Sequence, residues 1–131
     1  MMTDVIIIGG GPSGCAAALG LNRLGYRVVL CDQAKFPRDK VCGEFISPAA
    51  DPILKRLGVL DRIEALSPKR LKGVAISSYE GEEIVIDYPQ MPGMDARPTS
   101  LSVPRYELDA SFLEQVKQVG VEVREQHKVT E

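Results

Sequence analysis

The sequence predicts an α/β protein with a parallel, doubly wound sheet, and three observations carry that prediction. Val5 to Ile8 is a short β-branched run that leads into glycines spaced G-x-G-x-x-G, at Gly9, Gly11 and Gly14. A helix-like run of small residues and leucines, Cys15 to Leu24, follows at once. A second apolar run, Tyr26 to Cys31, then stops at the carboxylate of Asp32. Strand, tight turn, helix and strand in this order make a βαβ unit over residues 1–34.

Each element has its own justification. Val5 to Ile8 has no polar interruption, as expected of a strand buried on both faces of a parallel sheet. Cys15, Ala16, Ala17 and Ala18 let a helix start close to the sheet, and Gly25 stands where a C-cap glycine belongs. The short connection implies that the two strands pair in parallel through a crossover. Residues 35–104 read as an insertion. It opens with the charged loop Lys35 to Gly43, and Ser47-Pro48 can then start a helix that runs to Gly58. Leu60 to Leu66 reads as a further short helix. Val74-Ala75-Ile76 and Ile84-Val85-Ile86, separated by Glu80-Gly81-Glu82, read as a hairpin. Pro89 to Pro98 is loop, and Ser102 to Arg105 is extended. Residues 105–131 then supply a helix over Glu107 to Val119 and a third parallel strand near Val121, placed beside the second. Lys128-Val129-Thr130 reads as the start of another strand. A three-stranded parallel sheet of this kind leaves one side of its first strand without a neighbour, so the domain is expected to be incomplete at the C-terminus, with the strands beside the first one absent.

The totals describe an ordinary globular domain. The chain has 131 residues, 44% of them hydrophobic and 26% charged, with a net charge of −2. That balance, with scattered basic residues, gives no reason to expect nucleic acid as a partner. No apolar run approaches the roughly 20 residues that span a bilayer. The N-terminus lacks the pattern of a secretory signal, so a cytoplasmic setting is expected. The three cysteines, Cys15, Cys31 and Cys42, show neither a disulfide framework nor a metal-ligand spacing. No metal site is expected, and no side chain stands out as catalytic.

The chemistry lies in the glycine loop. Gly9 permits the tight turn, Gly11 lets backbone approach a pyrophosphate, and Gly14 allows the helix to pack closely on the strand. Amides around Pro12, Ser13 and Gly14 open a helix N-terminus that favours phosphate oxygens. Asp32 is placed to accept hydrogen bonds from the hydroxyls of a ribose. A carboxylate there disfavours a 2′-phosphate, and so NADP, but leaves NAD and FAD both open. On spacing alone, Arg105 is equally a surface charge. Cys42 reads as a small packing residue, Arg38 and Lys40 as a solvated face with contact to phosphate or substrate as the lesser alternative, and His127 as an exposed loop residue.

Three segments bear on that choice. GGGPSG with Ala18 beyond it, the loop Phe36-Pro37-Arg38-Asp39-Lys40-Val41-Cys42-Gly43-Glu44, and Ser102-Val103-Pro104-Arg105-Tyr106-Glu107-Leu108-Asp109 follow one another in that order. Together they resemble the N-terminal part of the geranylgeranyl reductase family, a branch of the p-hydroxybenzoate hydroxylase-like flavoproteins. The resemblance implies a Rossmann-like FAD-binding domain. It implies that Gly9, Gly11, Pro12, Ser13 and Gly14 hold the FAD pyrophosphate and that Asp32 holds the adenosine ribose. Cys42 and Gly43 would approach the cofactor, Arg105 would reach back to it, and Val129 would present backbone to adenine. Such a flavoprotein acts on a small-molecule substrate, with NAD(P)H or another electron donor. Members run to about three times this length, so the chain is expected to be an FAD-binding portion of an oxidoreductase or monooxygenase. The alternatives are a non-catalytic nucleotide-binding fragment, a subunit completed by a second chain and, more remotely, an NAD-dependent dehydrogenase domain.

Overall fold

The computed structural model describes residues 2–90, 92, 93 and 95–130. The chain runs β1 (Val5–Ile8), α1 (Pro12–Arg23), β2 (Val28–Cys31), β3 (Phe45–Ile46), a 3-10 turn (Pro48–Ala50), α2 (Asp51–Leu57), α3 (Leu60–Glu64), β4 (Lys69–Leu71), β5 (Gly73–Ser77), β6 (Glu83–Asp87), β7 (Ser100–Ser102), α4 (Arg105–Gln118) and β8 (Glu122–Arg124). The first sheet has the order β1-β2-β8, with every pair parallel. Val5 pairs with Val28 and Ile8 with Cys31 on one side of β2, and Val29 pairs with Glu122 on the other. The third parallel strand therefore lies beside the second, where the element order placed it.

The helices bury their apolar sides against this sheet. Cys15, Ala18 and Leu19 of α1 meet Val28 and Leu30 of β2 and Leu108, Phe112, Leu113 and Val116 of α4 in one core. The α4 residues recur at helical spacing, so one face is buried along its length. Each such leucine contributes about 1.5–3 kcal/mol by leaving water. Leu54 of α2, Val59 between the helices and Ile63 of α3 close the same core from the insertion.

The insertion also carries two antiparallel pieces. Val74 pairs with Ile86 and Ile76 with Ile84 in the expected β5–β6 hairpin. The second piece, a small sheet of order β3-β7-β4, is not signalled by periodicity. Its strands are two or three residues long and join segments far apart in the chain. It seats Leu101 and Ser100 in the interior and places β7 just ahead of α4.

Three local expectations are corrected. β1 is not covered on both faces: Ile6 is 64% exposed and Ile8 68%, because β1 is the sheet's edge and the described residues put nothing over that side. Ser47 precedes a 3-10 turn rather than a helix and makes no side-chain cap bond, with α2 starting at Asp51. Residues 128–130 form no strand, since no ladder partner meets them among the described residues.

Candidate functional site

The carboxyl end of the parallel sheet is where the glycines converge. Gly9 leaves β1 at φ +108°, a left-handed geometry that favours glycine, and its N–H donates to the Cys31 carbonyl at 2.8 Å. A Cβ at Gly14 would overlap the Gly9 carbonyl oxygen, so helix and strand can approach this closely only without a side chain there. A Cβ at Gly10 would press on Phe36, Asp32 and Leu30 at 3.2–3.3 Å. Gly11 is different. Its backbone is ordinary extended chain, and a Cβ there would meet nothing nearer than two guanidinium nitrogens at 3.8 Å. The space over Gly11 is a cradle that a side chain would fill.

Helix α1 begins directly behind that cradle. Pro12 takes the first helical position, where its missing N–H costs nothing. No side chain caps the helix and no acidic residue stands in its first turn. The first N–H groups of a helix have no intrahelical partner, so Ser13 and Gly14 present donors at the positive end of the helix dipole.

Asp32 closes β2 and is nearly buried. Its Oδ2 accepts the Gly10 N–H at 2.6 Å, and its Oδ1 accepts the Ala34 N–H at 2.7 Å. The carboxylate thus braces the glycine loop, a role in addition to the ribose contact read from the sequence. Each oxygen has a further lone pair, so hydroxyl donors can still be accepted. Asp32, Gly9, Gly11, Arg38, His127 and Val129 line one cleft of about 520 Å³, within the range of small-molecule sites. His127 is an exposed loop residue whose N–H donates to the Asp32 carbonyl at 2.8 Å.

Arg105 opens α4 with a forked bond to Asp109, Nε to Oδ1 at 2.7 Å and Nη2 to Oδ2 at 2.9 Å. Those bonds raise its pKa further, so the guanidinium stays charged. Arg38 donates Nη1 to the same carboxylate at 2.9 Å and lies over the Phe36 ring at 4.7 Å. Arg38 is therefore not part of a solvated face, because Asp109 draws it in from the loop. Glu125 anchors that loop by accepting the Phe36 N–H at 2.7 Å, while Lys117 pairs with its other oxygen at 3.1 Å. Cys42 is exposed rather than a packing residue. The Glu44 backbone and then the Arg105 guanidinium hold its thiol pKa below the usual value. Gly43 is exposed beside it, and a Cβ there would meet open space.

Gly9, Gly11, Asp32 and Val129 thus share a cleft, with Arg105 across Gly11. Cys42 and Gly43 sit to one side, outside the cleft lining. The sequence does not single out Gly10, Asp109 or Glu125, and it offers a phosphate contact at Arg38 only as the lesser alternative. Asp109 carried a signal, since it is a charged residue within the apolar stripe of α4, between Leu108 and Phe112.

A βαβ unit with an uncapped helix start, a side-chain-free cradle and two arginines facing it defines a dinucleotide-binding domain of the α/β class. The chain belongs to the FAD binding domain family, whose model matches residues 2–131. It is 41% identical over 106 residues to a menaquinone reductase of Mycolicibacterium smegmatis, covering 81% of this chain and 24% of that protein. Its fold is similar to that of a flavoprotein/dehydrogenase from Cytophaga hutchinsonii, with a TM-score of 0.86 and 28% identity over 98% of this chain and 31% of the other. It is equally similar to the myxobacterial chondrochloren halogenase CndH, described as an FAD-dependent halogenase, at TM-score 0.86 and 31% identity over 98% and 29% of the two chains. The chain spans about a quarter of the length of the curated relative it matches. FAD is the cofactor of this family, and the cradle at Gly11 with its facing guanidiniums fits a dinucleotide pyrophosphate. Among the described residues, no helix is long and apolar enough to cross a membrane.

Proposed function

We propose that this chain is the FAD-binding portion of an oxidoreductase of the geranylgeranyl reductase type. The observation that carries this reading is the pair of guanidinium groups, Arg38 and Arg105, facing the open space over Gly11 in front of the α1 N-terminus. Pyrophosphate is the part of FAD that such an arrangement recognises. In this reading Gly9 and Gly11 to Gly14 hold the pyrophosphate, Asp32 meets the adenosine ribose, Val129 lies along the adenine, and Cys42 and Gly43 approach the cofactor from the loop after β2. Flavin, when bound, supplies the electron transfer to substrate or oxygen, and the protein supplies orientation and electrostatics.

Reduction of a small-molecule substrate, with NAD(P)H or another electron donor, is favoured by two features. These are the Phe36–Glu44 loop and the likeness to a menaquinone reductase. Oxygen-dependent halogenation or hydroxylation is the second reading, favoured by the likeness to CndH. The cofactor step is tested first. The purified chain is expected to be yellow, or to quench flavin fluorescence when titrated with FAD. Colourless protein that takes up no added FAD overturns the reading. Assay of the loaded protein with NAD(P)H, with and without oxygen, then separates reduction from oxygenation.

A further inference from the structure

Asp109 is the only fully buried charged side chain among the described residues. Burying a carboxylate is costly unless it is paired and hydrogen-bonded. Here it accepts three bonds, two from Arg105 and one from Arg38, at 2.7–2.9 Å. The two arginines come from different elements, the loop after β2 and the first residue of α4. One negative charge thus gathers two positive ones and leaves a surplus of one. That surplus has a direction, because an Nη2 atom of each guanidinium lies 3.8 Å from the position of a Cβ on Gly11. Arg38 binds Asp109 through Nη1, which leaves its Nη2 facing the cradle.

We infer that Asp109 is a positioning residue, which holds Arg38 and Arg105 so that the Nη2 groups of both, the one on Arg105 shared with Asp109 itself, converge on a pyrophosphate dianion seated over Gly11. This rests on the FAD reading above and deepens it. Asp109 touches no ligand in this arrangement and acts through the two arginines. Two possible roles for it predict opposite signs. If Asp109 were merely a counter-charge, its neutralisation would raise the local positive charge and tighten binding of an anion. If it positions the two guanidiniums, its neutralisation lets them swing away, and binding weakens despite the extra charge.

Asp109→Asn separates these roles, with FAD as the probe and flavin fluorescence quenching as the readout. Positioning predicts FAD affinity weaker by roughly tenfold or more, in protein whose circular dichroism remains that of the unmodified chain. The losses from Asp109→Asn and Arg105→Gln are also expected not to add in the double variant, since one acts through the other. Unchanged or tighter FAD binding by folded Asp109→Asn overturns the proposal, as do strictly additive losses. Should Asp109→Asn fail to fold, Asp109→Glu keeps the charge and displaces the fork. It is expected to weaken FAD binding, and unchanged affinity there overturns the proposal in the same way. Unmodified protein that binds no FAD sinks the FAD reading and this inference together, whereas FAD binding that is indifferent to residue 109 sinks the inference alone.

Discussion

The glycine loop and the β5–β6 hairpin are built from the same materials, β-branched strands joined through glycine-bearing turns, and they behave as opposites. In the loop three of the glycines are dictated by backbone geometry or by a close neighbour: Gly9 by its φ, Gly10 by Phe36 and Asp32, Gly14 by the Gly9 carbonyl. In the hairpin Ile76, Ile84, Val85 and Ile86 are all more than half exposed, and the turn at Gly81 has open space around it. The difference teaches that β-branched sequence makes a strand but does not decide its burial. Burial is decided by what lies across each face. The same contrast divides β2, buried throughout between two partners, from the edge strand β1.

Substitutions can break this contrast or sharpen it. The largest effect is expected at Gly14. Gly14→Ala drives a methyl into a backbone carbonyl that cannot move without shifting β1 or α1, and should cost about 3 kcal/mol or more in denaturant unfolding. Gly9→Ala, at a left-handed φ with free space around it, should cost about 1–2 kcal/mol by the same measurement. Gly11→Ala is the informative partner to both. Its conformation suits alanine, so stability should change by less than about 0.5 kcal/mol. FAD affinity, read by fluorescence titration, should nevertheless fall by roughly tenfold or more, since the methyl occupies the cradle. Loss of stability without loss of binding at Gly11 would show that this glycine serves the fold as Gly14 does. In the hairpin, Ile84→Thr should move unfolding by no more than about 0.5 kcal/mol, and a larger loss would mean that this face is covered.

The smallest expected effect concerns pH. Arg27 binds Asp4 through its backbone N–H and its guanidinium at 2.8–3.0 Å and holds the Asp4 pKa down to about 2 from an ordinary 3.8. A carboxylate depressed on folding favours the folded state above its unfolded pKa, and that contribution is lost as pH falls through the folded value. Stability should therefore decline between pH 3.8 and about 2, and Asp4→Asn should flatten that part of an acid-unfolding curve. Both groups lie at the surface, so the change is small and diminishes with salt.

The parts of the molecule legible in the sequence are those where local pattern and tertiary role coincide. Val5 to Asp32 announces a βαβ unit because strand, turn and helix follow each other without a break. The hairpin, the apolar stripe of α4 and the parallel placement of β8 are similarly local. The β3-β7-β4 sheet was hidden because pairs such as Phe45 with Ser102 join two- and three-residue strands across long stretches of chain. Asp109 and Arg38 were hidden for a related reason. Their meaning lies in a contact between residues 71 positions apart, which neither Arg38 as a loop charge nor Asp109 as a carboxylate in an apolar stripe reveals alone. Ile6 and Ile8 misled in the other direction, since a strand's composition does not reveal which of its faces has a neighbour.

The three thiols of this chain differ enough to be told apart by chemistry. Cys15 is sealed in the core, donating to the Gly10 carbonyl at 3.3 Å, and burial, with the Asp109 and Asp32 carboxylates, pushes it up to about 12. Cys31 is buried within β2. Cys42 stands in the open, its thiolate favoured by the Glu44 backbone and by the same Arg105 that faces Gly11. An alkylating dye applied to the folded protein near neutral pH will therefore attach at a single place. That place neighbours the cofactor cradle, so the molecule carries its own attachment point for an optical reporter of what enters the site.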